Sequence, residues 1–225
     1  MDAREQAQIT EILGGSSWLR GDDLIAPILA HGRLARLKAG QWAQAEGDDD
    51  TGLLVVVEGA IQMLVQAPGG REVVIGQGGP GVAIGQTLRF GGGPRLVTVI
   101  CATDSLVLQV SDRALGRIAA EHPRIWEAVA ALLYLQLRGM VMVAAEAIAL
   151  PPRQRLAARL DLLDRTSRDG APLRMSQQVL AEMVGLTRKT VNGYLGEFER
   201  EGLIRRTYGE IEILDVVRLR RVAAS

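Results

Sequence analysis

Residues 177–196, QQVLAEMVGLTRKTVNGYLG, decide how the chain is organised. Ala181 is a small residue on the first of two predicted helices, where the second helix must cross closely. Gly185 follows at the tight turn, and Val191 and Tyr194 supply an apolar i, i+3 face that packs the second helix onto the first. An ordinary helical hairpin with a solvated charged face is the alternative. The small residue, the glycine and the apolar positions in this register favour a DNA-binding helix-turn-helix.

The second predicted helix has the side chains that a DNA-reading helix needs. Thr187 is a good N-cap residue, so the helix should begin directly after it. Its first turns then present two cations and two hydrogen-bonding side chains, namely Arg188, Lys189, Thr190 and Asn192. These groups suit contacts with phosphates and base edges in a major groove.

Charge is unevenly distributed along the chain. The 225 residues contain 26 basic and 26 acidic side chains, which gives a formal net charge of zero. Residues 151–225 have 14 basic and 10 acidic side chains, whereas residues 1–150 have 12 basic and 16 acidic ones. The basic part therefore coincides with the predicted helix-turn-helix, as phosphate neutralisation requires.

Several classes of protein and of site are disfavoured by composition. The start of the chain carries Asp2, Arg4 and Glu5 and lacks the apolar stretch of a secretory signal, so we expect a cytoplasmic protein. The single cysteine, Cys101, rules out an internal disulfide and a four-cysteine iron–sulfur cluster. No Ser-His-Asp set, metal-ligand spacing or phosphate-binding loop is recognisable, so we expect neither an enzyme nor a metal site.

Residues 33–110 read as an all-β segment. Short apolar and β-branched runs are separated by turn signals such as Glu58-Gly59 and Pro68-Gly69-Gly70. The runs cover residues 53–57, 61–65, 73–75, 82–84, 96–100 and 106–110. Six or more strands at this spacing predict a small barrel or jelly roll.

Residues 123–150, PRIWEAVAALLYLQLRGMVMVAAEAIAL, form one long helix candidate that is apolar on nearly every side. Such a helix must be buried all round. Its longest uncharged run, residues 128–137, is too short to span a membrane, which needs about 18–20 residues. Pairing with a second copy explains the excess apolar surface better, with Gly139 allowing close approach, and a two-fold dimer suits a palindromic DNA site.

The last third of the chain completes a second domain. Residues 153–164 predict an amphipathic helix before the helix-turn-helix, and LIRRTYGEIEIL, residues 203–214, predicts a β-hairpin after it. A hairpin directly after the reading helix is a wing. Arg205 and Arg206 on this wing either touch phosphates or are simply solvated; the sequence does not decide between the two.

Taken together, these segments resemble the Crp/Fnr superfamily of bacterial transcription regulators. The motif GLTRKTVNGYLGEFEREGLI, residues 185–204, is specific to that family, and LKAGQWAQAEGDDDTGLLVVVEGAIQMLVQAPGGREVV, residues 37–74, matches its β-roll more weakly. The resemblance implies an α+β protein with an N-terminal β-roll (a double-stranded jelly roll), a long dimerisation helix and a C-terminal winged helix-turn-helix. It assigns residues 1–122 to the sensor roll, 123–150 to the dimerisation helix and 151–225 to the DNA-binding domain.

The resemblance also assigns roles on DNA. Arg188 should read a guanine, Thr190 and Asn192 should contact the backbone or neighbouring bases, and Gln177 and Gln178 should touch phosphate. The same comparison implies a homodimer on double-stranded DNA with a palindromic operator, and RNA polymerase as a possible partner. Two positions depart from the best-known family pattern, Lys189 where many members have Glu and Gly193 where many have Arg. The half-site should therefore differ from the familiar one.

The segment that corresponds to the family's phosphate-binding cassette is GVAIGQTLRFGGGPRLVTV, residues 81–99. Two residues match the family's glycine and phosphate-pairing arginine, namely Gly85 and Arg95. Four positions depart from the family's polar contacts to a cyclic nucleotide, which are altered at Gln86 and lost at Leu96, Met140 and Val141. We therefore expect a degenerate effector pocket that does not use cAMP in the usual way.

What replaces cAMP is open from sequence: no ligand, a cyclic dinucleotide or an apolar molecule would each fit. Haem-using relatives exist, and His31, His122, Cys101 or a methionine could ligate iron, although no ligand-spacing motif marks any of them. The alternative functions are a sensor module that acts through a protein partner and a haem- or redox-sensing regulator. The basic excess and the intact helix-turn-helix favour a DNA-binding regulator over the first of these.

Overall fold

The computed structural model describes residues 2–47, 52–85, 95–166 and 172–225. By its internal contacts the chain divides into two compact units. The first comprises Met1–Val65 and Gly78–Gly139, and the second comprises Gln66–Gln77 and Met140–Ser225. The two units are described separately below.

The first unit begins with helices and continues as a roll of antiparallel strands. Helix α1 (Ala3–Gly14) starts at a capping box made by Asp2 and Glu5, and α2 (Ile25–His31) follows a single 3₁₀ turn. The strands are β1 (Arg33–Leu37), β2 (Trp42–Gln44), β3 (Leu53–Glu58), β4 (Ile61–Ala67), β5 (Arg71–Gly78), β6 (Ala83–Gly85), β7 (Thr98–Cys101) and β8 (Ser105–Val110).

These strands form two four-stranded sheets, in the orders β1-β8-β3-β6 and β2-β7-β4-β5. The predicted β-roll is therefore confirmed, and each of the six predicted apolar runs overlaps a strand. Strand β3 is the centre of the core, because its five residues from Leu53 to Val57 are all buried. Helices α1, α2 and α3 (Asp112–Glu121) contribute apolar side chains to the same buried cluster, among them Ile12, Ile28 and Leu115.

The long helix α4 spans Ile125–Ala149, so it begins two residues later than the sequence predicted. The backbone N–H groups of Ile125 and Trp126 donate to the carbonyls of His122 and Pro123, which makes a turn there instead of the first helical turn. The expectation that this helix is buried on every side is wrong for a single chain. Its buried residues all lie in the first third: Ile125, Ala128, Val129 and Leu132.

By length and composition alone, α4 is also long and apolar enough to cross a membrane, a test that core helices of soluble proteins pass as well. Arg138 interrupts its middle and Glu146 its second half. Charges at those depths are costly in a bilayer, so they argue against a membrane span.

The second unit contains the predicted winged helix-turn-helix. Its elements are α5 (Pro152–Thr166), β9 (Leu173–Arg174), α6 (Gln177–Val184), α7 (Arg188–Arg200), β10 (Ile204–Thr207), β11 (Glu210–Ile213) and α8 (Val216–Ala224). The wing is a three-stranded sheet in the order β10-β11-β9, rather than the two-stranded hairpin that the sequence predicted.

Helix α8 is an element that sequence reasoning missed. Asp215 caps it by accepting from the N–H of Arg218, and Leu219 is fully buried where α8 packs on α5. The signal was present, since a capping aspartate precedes apolar residues at i, i+3 and i+6, namely Val216, Leu219 and Val222.

The tip of the β4–β5 hairpin, Gln66–Gln77, packs within the second unit. The Gln77 side-chain amide donates to the carbonyl of Arg174 over 2.7 Å. A guanidinium nitrogen of Arg159 lies 3.4 Å from the carbonyl of Ile75. Polar contacts to backbone carbonyls thus hold this tip.

One carboxylate joins α5 to α8. Asp161 accepts from Arg220 over 2.8 Å and also pairs with Arg165, and its own side chain is only 8% exposed. Burial acts to raise the pKa of Asp161, but the hydrogen bonds from Arg165 and Arg220 outweigh it, so the pKa is lowered. The carboxylate is therefore charged at neutral pH and ties the C-terminal helix down.

We expect Asp161→Asn to destabilise the protein by about 1–3 kcal/mol at pH 7, because the neutral amide no longer forms the two charge-assisted contacts with Arg165 and Arg220. Both arginine side chains are partly solvated, which limits the loss. Since the folded-state pKa is depressed, this stabilisation exists above the unfolded pKa of about 4 and is lost as the pH falls through the folded value. Urea unfolding of the two proteins, followed by circular dichroism, should therefore converge at acid pH. Asp164→Asn on the same helix is the control; equal stability of Asp161→Asn and the native chain at pH 7 would contradict the role of this pair.

Candidate nucleic-acid interface and effector site

The turn between α6 and α7 fixes how the two helices cross. Gly185 adopts φ +64°, a left-handed conformation that glycine accommodates best, and ends α6 by donating to the carbonyls of Ala181 and Glu182. Ala181 is 1% exposed, as the close crossing requires. Both predictions are confirmed.

The buried face of α7 differs in part from the prediction. Val191 is buried as expected, but Tyr194 is only half-buried. Leu195 and Phe198 instead continue the buried face at i+4 and i+7. The helix period of 3.6 residues places these two positions, rather than i+3, closest to the core side of Val191.

Capping side chains position the start of both helices. Ser176 accepts from the N–H of Val179 at the start of α6. Thr187 accepts from the N–H of Thr190 over 3.1 Å at the start of α7, and the two threonine hydroxyls are 2.8 Å apart. The predicted N-cap at Thr187 is therefore confirmed, and the first turn of α7 is fixed by its own side chains.

The first turn of α7 carries two exposed cationic side chains, Arg188 and Lys189. Neither of them forms an ion pair with any residue in the described part of the chain. Gln178 is exposed on α6, where its amide donates to Glu182 over 2.9 Å. An exposed helix N-terminus with unpaired cations is suited to anionic partners.

Asn192, one turn further along α7, is held by two neighbours. Its side-chain oxygen Oδ1 accepts from Nη1 of Arg206 over 2.9 Å and from Nε2 of Gln177 over 3.3 Å. Gln177 comes from α6 and Arg206 from the wing strand β10. The three predicted DNA-contacting residues are thus brought together at one point.

Arg206 is also bound to Glu199 of α7. Its Nε and Nη2 atoms donate to Glu199 Oε2 over 2.9 and 2.7 Å, and its backbone N–H donates to Oε1 over 3.0 Å. The side-chain hydrogen bond from Arg206, followed by the backbone one, lowers the pKa of Glu199. The interpretation of Arg206 as simply solvated is therefore wrong; a phosphate contact stays a prediction.

Arg205 is paired within the wing. Its Nε donates to Glu212 over 2.8 Å, and the two residues are cross-strand partners in the β10–β11 register. Sequence reasoning missed both acidic partners. The Arg205–Glu212 pair follows from a turn centred on Tyr208-Gly209, whereas the pairing of Arg206 with Glu199 depends on how the wing packs on α7, which no local spacing reveals.

The first unit contains part of the predicted effector pocket. Gly85 has φ +129°, and a Cβ built on it would lie 2.2 Å from the Gly52 carbonyl oxygen and 2.9 Å from Nη1 of Arg95. Arg95 is buried and donates from Nη2 to the Gly52 carbonyl over 3.0 Å. The structure thus brings Gly85 and Arg95 together, with the arginine bonded to backbone.

Arg95 also lines a cavity of about 330 Å³. Other residues around it include His31, Gln44, Gly52, Gln109 and Ser111. Leu96 is 61% exposed, and Gln86 lies outside the described residues. Met140 and Val141 belong to the second unit and are exposed.

The candidate iron ligands are scattered. Within the described ranges, no three histidine, cysteine, aspartate or glutamate side chains are grouped so that they could hold a metal ion. Cys101 is 1% exposed, and burial raises the pKa of its thiol despite a hydrogen bond with Ser105. His31 is exposed and His122 is half-buried. A protonated, buried thiol is a poor ligand and a poor redox sensor.

Comparison with known proteins agrees with this architecture. Residues 154–222 match the model of the Crp-like helix-turn-helix domain, and residues 34–122 match that of the cyclic nucleotide-binding domain. The CRP-like cAMP-activated global transcriptional regulator of Mycobacterium tuberculosis is 30% identical over 190 residues, which cover 82% of this chain and 85% of that protein.

Two further relatives come from Bradyrhizobium. The nitrogen fixation regulation protein FixK of Bradyrhizobium diazoefficiens is 29% identical over 205 residues, covering 86% of this chain and 83% of that protein. The solved structure of FixK2 from Bradyrhizobium japonicum superposes with a TM-score of 0.77 at 20% identity, over 86% of this chain and 98% of that one. With both domain models matched in order and a relative at this identity over most of the chain, the protein belongs to the Crp/Fnr superfamily of transcription regulators.

Proposed function

We propose that this Crp/Fnr-type DNA-binding transcription regulator works as a homodimer on a palindromic operator, and that cAMP is not its effector. The contact with DNA rests on one observation, the first turn of α7. Arg188 and Lys189 are exposed there and form no ion pair with any described residue, and the Thr187 cap fixes the turn that carries them. A capped helix start with two free cations is built to meet the phosphates and base edges of a major groove.

Each residue of this surface has an expected part. Arg188 reads a guanine through bidentate hydrogen bonds from its guanidinium, and Lys189 donates to a guanine acceptor or to a phosphate. Thr190 and Asn192 contact the backbone or neighbouring bases, Gln177 and Gln178 touch phosphate, and Thr187 sets the position of the first turn. Arg205 and Arg206 of the wing lie beside this surface, already paired with carboxylates of their own unit.

Arg188→Ala should weaken binding to a specific operator by about 1–3 kcal/mol and relax the preference at one base pair, because a bidentate guanine contact is lost. Gel-shift titrations on the operator and on random DNA measure both effects. Lys189→Ala, if Lys189 meets phosphate, should weaken binding to both DNAs alike and reduce the slope of log affinity against log salt by about one. Equal loss on specific and random DNA for Arg188→Ala would show that it is only a phosphate contact.

The exposed face of α4 supports pairing with a second copy. Apolar residues alternate at spacings of four and three along this helix, at Ala130, Tyr134, Leu137, Val141, Ala144 and Ile148. All six are exposed in the single chain, and the four large ones are 57% to 88% exposed. This is the spacing of the a and d positions in a coiled coil, where each apolar side chain inserts between those of a partner helix.

Leu137→Glu should convert the dimer to a monomer, because two carboxylates would face each other across the two-fold axis in an apolar seam. Sedimentation velocity at micromolar concentration measures the change. Arg138→Glu, on the next residue but outside the seam, is the matched control and should leave the dimer intact. A native chain that sediments as a monomer, or a Leu137→Glu chain that stays dimeric, would contradict pairing through α4.

The case against cAMP rests on missing hydrogen-bonding groups. Leu96 provides no hydroxyl where the family offers one to phosphate, which forfeits a charge-assisted bond of about 1.5–3 kcal/mol. By the resemblance, Met140 and Val141 stand where the family offers hydroxyls to the base, so a base edge there would lack partners at a similar cost. Arg95, which matches the family's phosphate-pairing arginine, already donates to the Gly52 carbonyl. Losses of this size weaken binding by orders of magnitude.

Titration calorimetry with cAMP should accordingly show no binding in the micromolar range. Leu96→Ser, which supplies a hydroxyl at an exposed position, should tighten cAMP binding more than Leu96→Ala does. Micromolar binding of cAMP to the native protein would overturn this part of the proposal.

The remaining assignments follow from the same function. We assign residues 1–122 to the sensor roll, 123–150 to the pairing helix and 151–225 to DNA binding. A regulator of this kind needs access to chromosomal DNA, so we assign it to the cytoplasm, with no catalytic role and no membrane partner. RNA polymerase is the protein partner to test once an operator is known.

A further inference from the structure

We propose that Arg206 and Gln177 lock the side-chain amide of Asn192 in one orientation, so that Asn192 offers DNA only hydrogen-bond donors. Asn192 then favours guanine or thymine, whose major-groove edges present only acceptors, over adenine, whose N6 donor it cannot match. The inference rests on the proposed DNA-binding function and names a determinant of its sequence specificity.

The orientation of the amide follows from the chemistry of its neighbour. An arginine side chain has five donors and no acceptor, so the Asn192 atom that lies 2.9 Å from Arg206 Nη1 must be the oxygen Oδ1. The Gln177 amide supplies a second donor to the same oxygen over 3.3 Å. Turning the Asn192 amide by 180° would place its NH₂ group against the Arg206 guanidinium, which has no acceptor, although the Gln177 amide could turn with it.

Arg206 is itself prevented from moving away. Three hydrogen bonds, from Nε, Nη2 and the backbone N–H, join it to the Glu199 carboxylate, and its side chain is only 27% exposed. Glu199 lies on α7, the same helix as Asn192, two turns further on. Arg206 is therefore a positioning residue that acts on DNA through Asn192.

The outward group of Asn192 is the NH₂ group, Nδ2. Asn192 is exposed, and Nδ2 donates to no residue in the described part of the chain. Asn192 also lies four residues after Arg188, so both side chains are on one face of α7. An asparagine that is free to use both atoms pairs with adenine, donating to N7 and accepting from N6. With Oδ1 occupied, that bidentate contact is not available.

The four bases then differ in how well their major-groove edges accept hydrogen bonds from the NH₂ group of Asn192. Guanine presents two acceptors, N7 and O6, and thymine presents O4. Cytosine presents only the N4 donor, and adenine adds an N6 donor to its single acceptor N7, while the locked amide has no acceptor to offer either donor. An unmatched donor is costly in a desolvated interface, so the locked amide disfavours adenine and cytosine.

Selection of binding sites from a pool of random duplexes by the full-length protein tests this inference. The native protein should enrich guanine or thymine at one position of each half-site. Asn192→Ala should flatten the preference at that position and leave the other positions unchanged. Arg206→Met removes the donor that cannot reverse and leaves only the Gln177 amide beside Asn192, so the Asn192 amide can turn and the adenine-to-guanine ratio there should shift toward adenine by roughly tenfold. Arg205→Met is the matched control, because Arg205 pairs with Glu212 and does not touch Asn192, and it should leave the preference as it is.

A second variant keeps the test independent of the stability of Arg206→Met. Asn192→Asp retains the acceptors for Arg206 and Gln177 but has no donor, so its preference should turn to cytosine, whose N4 donates. Circular dichroism checks that each variant is folded.

Two results would overturn the inference alone: a native motif that Arg206→Met and Asn192→Asp leave unchanged at every position, or an Asn192→Ala chain that loses affinity equally for all sequences, as a phosphate contact would. A native protein that enriches no motif would overturn the proposed function and, with it, the inference.

Discussion

The apolar seam on α4 is the constraint on which the rest of the molecule depends. A helix of 25 residues that buries side chains only in its first third within one chain leaves a row of six apolar side chains, four of them large, exposed to water. Water disfavours such a surface, and the spacing of four and three residues along the row is the one by which a helix pairs with a second copy of itself, as we propose here. In the proposed dimer, two copies bring two reading helices, and a two-fold pair of reading helices calls for a two-fold DNA site. On this proposal, the composition of one helix is linked to the symmetry of the operator.

The reading surface combines a common scaffold with its own chemistry. The left-handed turn at Gly185, the buried Ala181 and the Thr187 cap position α7, and none of these residues selects a base. We propose that the exposed side chains that follow select the bases, and that the wing takes part in this selection. Because Arg206 reaches from β10 to both Glu199 and Asn192, the wing and the reading helix form one hydrogen-bonded unit. A substitution on the wing can therefore alter what the helix reads.

Local patterns in the sequence predicted most of this scaffold. The strands, the turn glycine and the N-cap are encoded by neighbouring residues, so propensity and periodicity identify them. Strand β9 is only two residues long, so it has no periodicity that could predict it. Helix α8 is marked in the sequence by its N-cap residue Asp215. The sequence predicted Tyr194, three residues after Val191, on the buried face of α7. Leu195 and Phe198, four and seven residues after Val191, occupy that face instead.

Contacts between distant segments could not be predicted in the same way. The bond from Arg206 to Asn192 and that from Arg95 to the Gly52 carbonyl each join segments whose approach depends on tertiary packing. In the roll, Gly85 lies beside Arg95, and the arginine donates to the Gly52 carbonyl. Under the proposed function, this site has the family's shape without all of its chemistry for a cyclic nucleotide. Native mass spectrometry of the full-length protein on a selected duplex tests the central claim most directly: we predict two protein copies on one duplex that contains an inverted repeat, and a single copy bound to that duplex would contradict the account.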